Sequence, residues 1–220
     1  MKNLDPNKLT PQEKVWRTDF GEDYNLRNMY SNIELDRGYK NTMGISRTEM
    51  MEKFIGNLDR EIKILEIGCN IGIMLVNLQE MGFKNLYGIE IQPKAIEHAL
   101  ERTNGLKITE ASAYEIPFED NEFDLVYSTH VLIHLDPEKI NTALKEIYRC
   151  SKKYIFGNEY YSDNLTEIKN YKGQNNIAWK RNFSGLYTKL FPDLVLLKEE
   201  RYKYLFNDNI DTAFLFEKGH

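Results

Sequence analysis

The run IKILEIGCNIG at residues 62–72, followed by a helix-like stretch and then LYGIEI, constrains the fold of this chain more than any other feature. A short apolar strand that ends in a glycine turn and continues into a helix opens a βαβ unit. Gly68 lets the backbone turn sharply there and approach a ligand with no Cβ in the way. The stretch IMLVNLQEMG stops at Gly82, LYGIEI forms a second strand, and PKAIEHALER carries Pro93 in the first turn of a second helix. The alternation continues through LKITEA, FDLVYST, the helix PEKINTALKEIYRC and the strand YIFGNEYY. Strands and helices in that order predict an α/β fold, a Rossmann-like parallel sheet with helices on both faces.

The flanking segments complete one domain over residues 1–220. Ser46, with Glu49 three positions later and Met50, Phe54 and Leu58 on one face, predicts a capped helix over SRTEMMEKFIGNL that enters the core. Before it, residues 1–45 have their periodicity interrupted by Pro6, Pro11, Gly21, Gly38 and Gly44. Asn3, Asn7 and Thr10 with the two prolines predict a loop, and QEKVWRTDF a helix. Trp16, Phe20, Tyr24, Tyr30 and Tyr39 are costly to leave in water, so this extension is expected to lie back over the domain. Residues 162–182, rich in Asn, Lys and Tyr and weakly periodic, predict an active-site insertion or loop. NFSGLYTKLF then predicts a helix, and LVLLKEERYKYLF and TAFLFEK two closing strands, antiparallel and joined around Asn207–Asp211.

Partners and compartment follow from charge and cysteine usage. A net charge of -5 gives no general attraction to nucleic-acid phosphates or an anionic membrane, so a small molecule or glycan is the expected partner. Cys69 and Cys150 form no CxxC pair and no disulfide framework, which fits a reducing, cytoplasmic setting. No signal-peptide core opens the chain, and no apolar run approaches the roughly 20 residues needed to cross a bilayer.

The glycine turn belongs to a spaced set. Glu66, Gly68, Asn70 and Gly72 stand at the end of the first strand, where a helix start also offers unpaired N–H groups. Glu90 closes the second strand about 20 residues on, where a carboxylate can accept both hydroxyl hydrogens of a ribose. In EASAYEIPF, Ser112 or the backbone of Ala113 can meet an adenine edge, with Ile91 and Ile116 as apolar cover. Each has a plainer reading as a structural junction, an exposed strand-end acid or a tight turn.

From ILEIGCNIG through YGIEI, ASAYEIPFEDNEFDLVYS and the following helix, roughly residues 62–160, the chain resembles the class I S-adenosylmethionine-dependent methyltransferases. The resemblance implies S-adenosyl-L-methionine as cofactor and S-adenosyl-L-homocysteine as product. It places Gly68, Cys69, Asn70 and Gly72 around the methionine part, Glu90 at the ribose, and Ser112 with Ala113 at the adenine. That family often has glycine where Asn70 stands and an acid where Ser112 stands. WRTDFGEDYNLRN, VLIHLDPE, NEYYS and KRNFSGLYTKLFPDL are further similar to the pseudaminic acid biosynthesis-associated methylases. This implies a cytosolic enzyme acting on a sugar of surface-glycan or nonulosonic-acid biosynthesis, with the extension near the cofactor opening.

The acceptor side is less patterned. His130 follows the fourth strand and His134 stands four residues later, on the side where open α/β sheets gather ligand-binding loops. His130, His134 and Asp136 are dense enough to suggest a metal, but HxxxH lacks the internal glutamate of the zinc-helix pattern and Pro137 interrupts a helix. No metal is expected. A neutral His130 suits the role of base for a hydroxyl acceptor, and His134 that of supporting the HLDPE turn or the substrate. Glu159, Tyr160 and Tyr161 are candidates for shaping the acceptor pocket, and Arg181 for a ligand carboxylate. Trp16, Phe20, Tyr24 and Arg27 are the lid candidates that the resemblance implies, with core packing the favoured role of Trp16 and Phe20 and a charged ligand or another lid residue the partner of Arg27. Two other functions remain open from the sequence: an NAD-dependent oxidoreductase, disfavoured because GCNIG lacks the full GxGxxG turn, and a non-catalytic cofactor-binding interaction protein.

Overall fold

The computed structural model describes residues 4–103 and 105–219; Asn3 of the predicted opening loop lies outside them. The alternating series forms β1 (Lys63–Ile67), β2 (Asn85–Glu90), β3 (Lys107–Glu110), β4 (Phe123–Thr129) and β5 (Ser151–Tyr160), all paired in parallel. Within 162–182, β6 (Thr166–Glu167) and β7 (Trp179–Lys180) make a small antiparallel ribbon, the regular element that the weak periodicity of that insertion concealed. The closing strands are β8 (Leu194–Lys203) and β9 (Ile210–Lys218), joined through 204–209. β9 inserts antiparallel between β5 and β8, giving the order β3-β2-β1-β4-β5-β9-β8. The order reverses between β1 and β4, and there a crevice opens beyond the strand ends.

Three helices occupy the N-terminal extension, more than the glycine and proline spacing predicts: α1 (Pro11–Trp16), α2 (Asp19–Arg27) and α3 (Asn32–Met43). Capping supplies the reason. Thr10 with Glu13 and Ser31 with Glu34 are full capping boxes, and Thr18 caps α2, which divides the predicted helix at Arg17–Thr18. A glycine inside a helix costs about 0.5–1 kcal/mol, so tertiary contacts readily retain Gly21 and Gly38 there. α4 (Arg47–Ile55) starts at the predicted Ser46–Glu49 box.

The remaining helices cover the sheet: α5 (Ile73–Glu80), α6 (Pro93–Arg102), α7 (Ile140–Cys150) and α8 (Phe183–Leu190). α7 starts three residues after Pro137, because 131–139 are taken up by a one-turn 3-10 helix at Leu132–His134 and the turn behind it.

Strand side chains alternate between two cores with a period of two, except on β4, where a register shift between Phe123 and Leu125 puts these two on opposite faces. Ile64, Leu125, Tyr127 and Phe156 face Met50, Phe54, Leu75 and Leu78 of α4 and α5. Leu65, Phe123, Val126 and Ile155 face Ile140, Leu144 and Ile147 of α7. β9 feeds both, with Ala213 and Leu215 on one side and Phe214 and Phe216 on the other. Cys69 and Cys150 are buried free thiols. Among the described residues no helix is long and apolar enough to cross a membrane.

Candidate functional site

The chain leaves β1 through two left-handed glycines, Gly68 at φ +64° and Gly72 at φ +74°. A Cβ on Gly68 would stand 2.8 Å from a methyl carbon of Val131, so both the turn and its clearance require glycine. Asn70 between them is also left-handed, at φ +47°, a conformation Asn tolerates better than most residues. Glu90 anchors this turn from the end of β2. Its Oε2 accepts the Asn70 amide at 2.8 Å, and its Oε1 the amides of Ile91 and Gln92 at 2.7 and 3.0 Å. Burial raises the Glu90 pKa while the three amides pull it down. Oε1 thereby fills both of its lone-pair sites, and Oε2 keeps one for a further donor.

A cavity of about 240 Å³ opens over this turn. Glu66, Gly68, Cys69, Asn70, Glu90 and Ile91 form its floor, and Ala111, Ala113, His130 and His134 a further part of its wall. Glu66 Oε2 is buried with no hydrogen bond of good geometry, and desolvation, opposed by the Tyr127 hydroxyl and the Arg47 charge, lifts that carboxyl to about 8, so it is largely protonated near neutral pH. A buried carboxyl, a glycine-lined turn and a strand-end acid with spare acceptor capacity fit the polar groups of a nucleoside-bearing cofactor. Ser112 is turned away from this wall: its hydroxyl donates to Glu13 Oε1, while the neighbouring Ala113 faces the cavity. Ile116 is core.

The extension closes the top through side chains that the sequence reading did not single out. Arg17 donates to the Ile91 carbonyl and pairs with Glu110 at 2.7 Å. Asn70 Nδ2 donates to Asn25 Oδ1, tying α2 to the glycine turn. Trp16 lines the cavity and meets the rings of Phe20 and Tyr24 edge-on, each at 5.1 Å, and that of His134 at 4.7 Å. Phe20 thus supports Trp16 without lining the cavity. The Thr10-x-x-Glu13 capping box is a sequence signal for Glu13; Arg17 and Asn25 have none.

At the end of β4, His130 sits at φ +53° and donates its backbone N–H to the Asn158 carbonyl at 2.9 Å. Its Nε2 lies 2.7 Å from Oδ2 of Asp211. A carboxylate accepts, so the Nε2 proton points to Asp211 and Nδ1 is left as the basic nitrogen. Burial alone depresses the His130 pKa, but attraction and hydrogen bonding to Asp211 outweigh it and the net shift is upward. Asp211 escaped the sequence reading because the antiparallel register of β9 delivers it, with Asp211 opposite Tyr160 on β5.

His134 and Glu159 act behind this pair. His134 Nδ1 donates to the Ile177 carbonyl of the insertion at 2.9 Å, and its buried Nε2 has no partner. Burial lowers its pKa to about 4, so the ring is neutral and Nε2 is an acceptor. Glu159 Oε1 accepts Ser128 Oγ at 2.9 Å and the Val131 and Leu132 amides, each at 3.3 Å, fixing the turn that carries His130. Its burial raises the carboxyl to about 7.

A second chamber, about 620 Å³, lies outside the first and shares Tyr24 and Asn28 with it. Tyr160, Tyr171, Arg27 and Lys172 line it. Tyr161 and Arg181 line neither chamber: Arg201 stacks 3.7 Å over the Tyr161 ring, whose hydroxyl donates to Asp163, and Arg181 follows the β6–β7 ribbon.

Comparison with known proteins places this geometry. Residues 65–154 match a methyltransferase domain family. The chain is 28% identical over 146 residues to the sterol 4-C-methyltransferase strm-1 of Caenorhabditis elegans, covering 60% of this chain and 42% of that one. It is 28% identical over 153 residues to a phosphoethanolamine N-methyltransferase of Plasmodium falciparum (isolate 3D7), covering 68% and 52%. The chain thus spans about half the length of these curated relatives or less. The fold is shared with magnesium protoporphyrin IX methyltransferase (ChlM) from Synechocystis PCC 6803 with bound SAM, at a TM-score of 0.69, 13% identity and coverage of 97% and 100%.

Proposed function

We propose that this chain, which carries a class I S-adenosylmethionine-dependent methyltransferase domain, transfers a methyl group from that cofactor to a small polar acceptor. The observation that carries the reading is the meeting, in one cavity, of the turn at Gly68, Cys69 and Asn70, the Glu90 carboxylate and His130, which Asp211 holds from behind. The cofactor supplies a methyl carbon activated by a sulfonium. Glu90 would hold the ribose, the turn around Cys69 and Asn70 the methionine end, and Ile91 and Ala113 the adenine.

The protein's own contribution is position, enclosure and one proton. Methyl transfer requires the nucleophile in line with the methyl carbon and sulfur, and orientation inside a closed cavity supplies much of the rate. Trp16 and the α1–α2 cover exclude water above the turn. For a hydroxyl acceptor, His130 Nδ1 takes the proton as the oxygen attacks, while Asp211 holds the ring in the needed tautomer and stabilises the imidazolium. Because the His130 pKa is raised, the pH above which the ring is free to act as a base is raised with it.

For the acceptor, the resemblance of WRTDFGEDYNLRN and KRNFSGLYTKLFPDL to the pseudaminic acid-associated methylases favours a sugar or nucleotide-activated sugar of surface-glycan biosynthesis. Tyr160 beside His130, ring centroids 5.0 Å apart, offers the face and hydroxyl such a ring uses. The deciding experiment is a mass-shift assay with S-adenosylmethionine and a panel of free and activated sugars, beside calorimetry with S-adenosylmethionine and with NAD. Cofactor-dependent gain of one methyl by a sugar is the expected result. Stoichiometric NAD binding without S-adenosylmethionine binding would overturn the reading.

A further inference from the structure

The outer chamber differs from the inner one in having no acid in its wall. Glu13, Glu66 and Glu90 line the inner cavity together with Arg47. Among the described residues the outer chamber is lined by no carboxylate, and its two cations, Arg27 and Lys172, form no ion pair. In a chain of net charge -5, two cations facing one chamber that has no carboxylate in its wall leave a local field that favours an anion.

Three tyrosines connect this chamber to the inner one. Tyr160 lies 5.0 Å from the His130 ring, Tyr171 5.0 Å from His134, and Tyr24 5.1 Å from Trp16. A ligand held at Arg27 and Lys172 therefore sits across this wall from the proposed base. The Arg27 charge reaches the hydroxyls of Tyr24 and Tyr171, opposing the upward push that burial exerts on both phenols. Two cations and neighbouring phenolic hydroxyls match the charge and acceptor number of a phosphoryl group, whereas a single carboxylate would neutralise one cation and leave the other.

We propose that the outer chamber is a phosphoryl-binding subsite for the acceptor, with Arg27 and Lys172 as its cations and Tyr24, Tyr160 and Tyr171 as its wall. The word acceptor rests on the methyl-transfer reading; the phosphoryl site does not. The substrate class is a small molecule carrying a phosphomonoester or a diphosphate, oriented with that group outward and its nucleophile toward His130. Arg27 contributes planar paired donors and Lys172 a mobile point charge.

The test is calorimetric titration of the full chain at low ionic strength with inorganic phosphate, pyrophosphate and acetate, with and without S-adenosylhomocysteine. Saturable binding of phosphate or pyrophosphate, tighter than acetate, is expected; preference between the two separates a monoester site from a diphosphate site. Arg27→Gln and Lys172→Asn should each weaken it about tenfold, the loss of one charge-assisted contact. Asn is chosen because Lys172 sits at φ +50°. Arg27→Lys should recover part of the loss, and S-adenosylhomocysteine affinity should not change in any variant. No saturable phosphate or pyrophosphate binding, equal acetate binding, or unchanged affinity in both variants overturns the proposal. Phosphate binding that persists while S-adenosylhomocysteine fails to bind removes the methyl-transfer reading and leaves this site standing.

Discussion

The two halves of the inner cavity are built from different material. On the β1–β2 side the ligand wall is a turn of left-handed residues with two acids beside it, Glu66 and Glu90, the latter accepting the amides of Asn70, Ile91 and Gln92. On the β4 side it is two imidazoles, His130 on Asp211 and neutral His134, with Glu159 holding the turn behind them. The turn keeps its shape whatever the pH, while His130 changes charge as the pH falls. The first suits a constant donor, the second an acceptor whose proton must leave.

The largest effect is expected where that proton goes. His130→Ala should lower turnover about 10²- to 10⁴-fold on a hydroxyl acceptor while leaving cofactor affinity intact. In the wild type, turnover should fall as pH drops through the raised His130 pKa, because the base becomes protonated. Asp211→Asn removes the charge that raises it, so the acid limb of the profile should move to lower pH and turnover drop less than in His130→Ala. Intact turnover in His130→Ala would move the base elsewhere or point to an amine acceptor.

Gly68→Val tests the β1–β2 side. Strain at positive φ and a clash with Val131 together should cost about 2–4 kcal/mol of stability and abolish cofactor binding, read by thermal melting and calorimetry. A stable variant with unchanged affinity would show that the turn is not the donor wall.

Buried titratable groups on both sides of the cavity should also govern stability. His134, with a folded pKa of about 4 against an ordinary value near 6.5, binds its proton more readily when unfolded. Its contribution is therefore present above about pH 6.5 and lost as pH falls toward 4, by at most about 3 kcal/mol. Glu159 and Glu66, raised to about 7 and 8, work the other way, their contribution being lost as pH rises from about 4.5 through those values. Denaturant unfolding across pH 4–8 should show both limbs, with His134→Gln flattening the acid one.

Arg17→Gln is the mildest change. Its pair with Glu110 is partly exposed, so the loss should stay within about 1 kcal/mol of stability, but the cofactor off-rate should rise as the cover loosens.

What could be read from the sequence divides along the same line. ILEIGCNIG and YGIEI announce their turn and strand-end acid because glycine placement and apolar period are local signals. Asp211 and His130 are 81 positions apart, and their meeting depends on β9 entering antiparallel beside β5, a register that no short motif encodes. Glu13 and Ser112 meet across 99 positions for a comparable reason. The helices around Gly21 and Gly38 were obscured because tertiary contacts and caps outweigh weak local propensity there. Tyr161 and Arg181 looked useful as residue types, yet strand alternation and the insertion's path take them away from both chambers.

The two thiols give this molecule a pair of internal clocks. Cys69 lines the inner cavity beneath the α1–α2 cover, and Cys150 lies sealed between α7 and the sheet. Burial holds both thiols protonated, Cys150 with its pKa pushed to about 12, so neither reacts while its surroundings stay closed. A small alkylating reagent should therefore mark Cys69 at the frequency with which the cover lifts, and Cys150 only when the whole domain opens. The ratio of the two labelling rates separates breathing at the mouth from unfolding of the body, in an unmodified chain and without any substrate in hand.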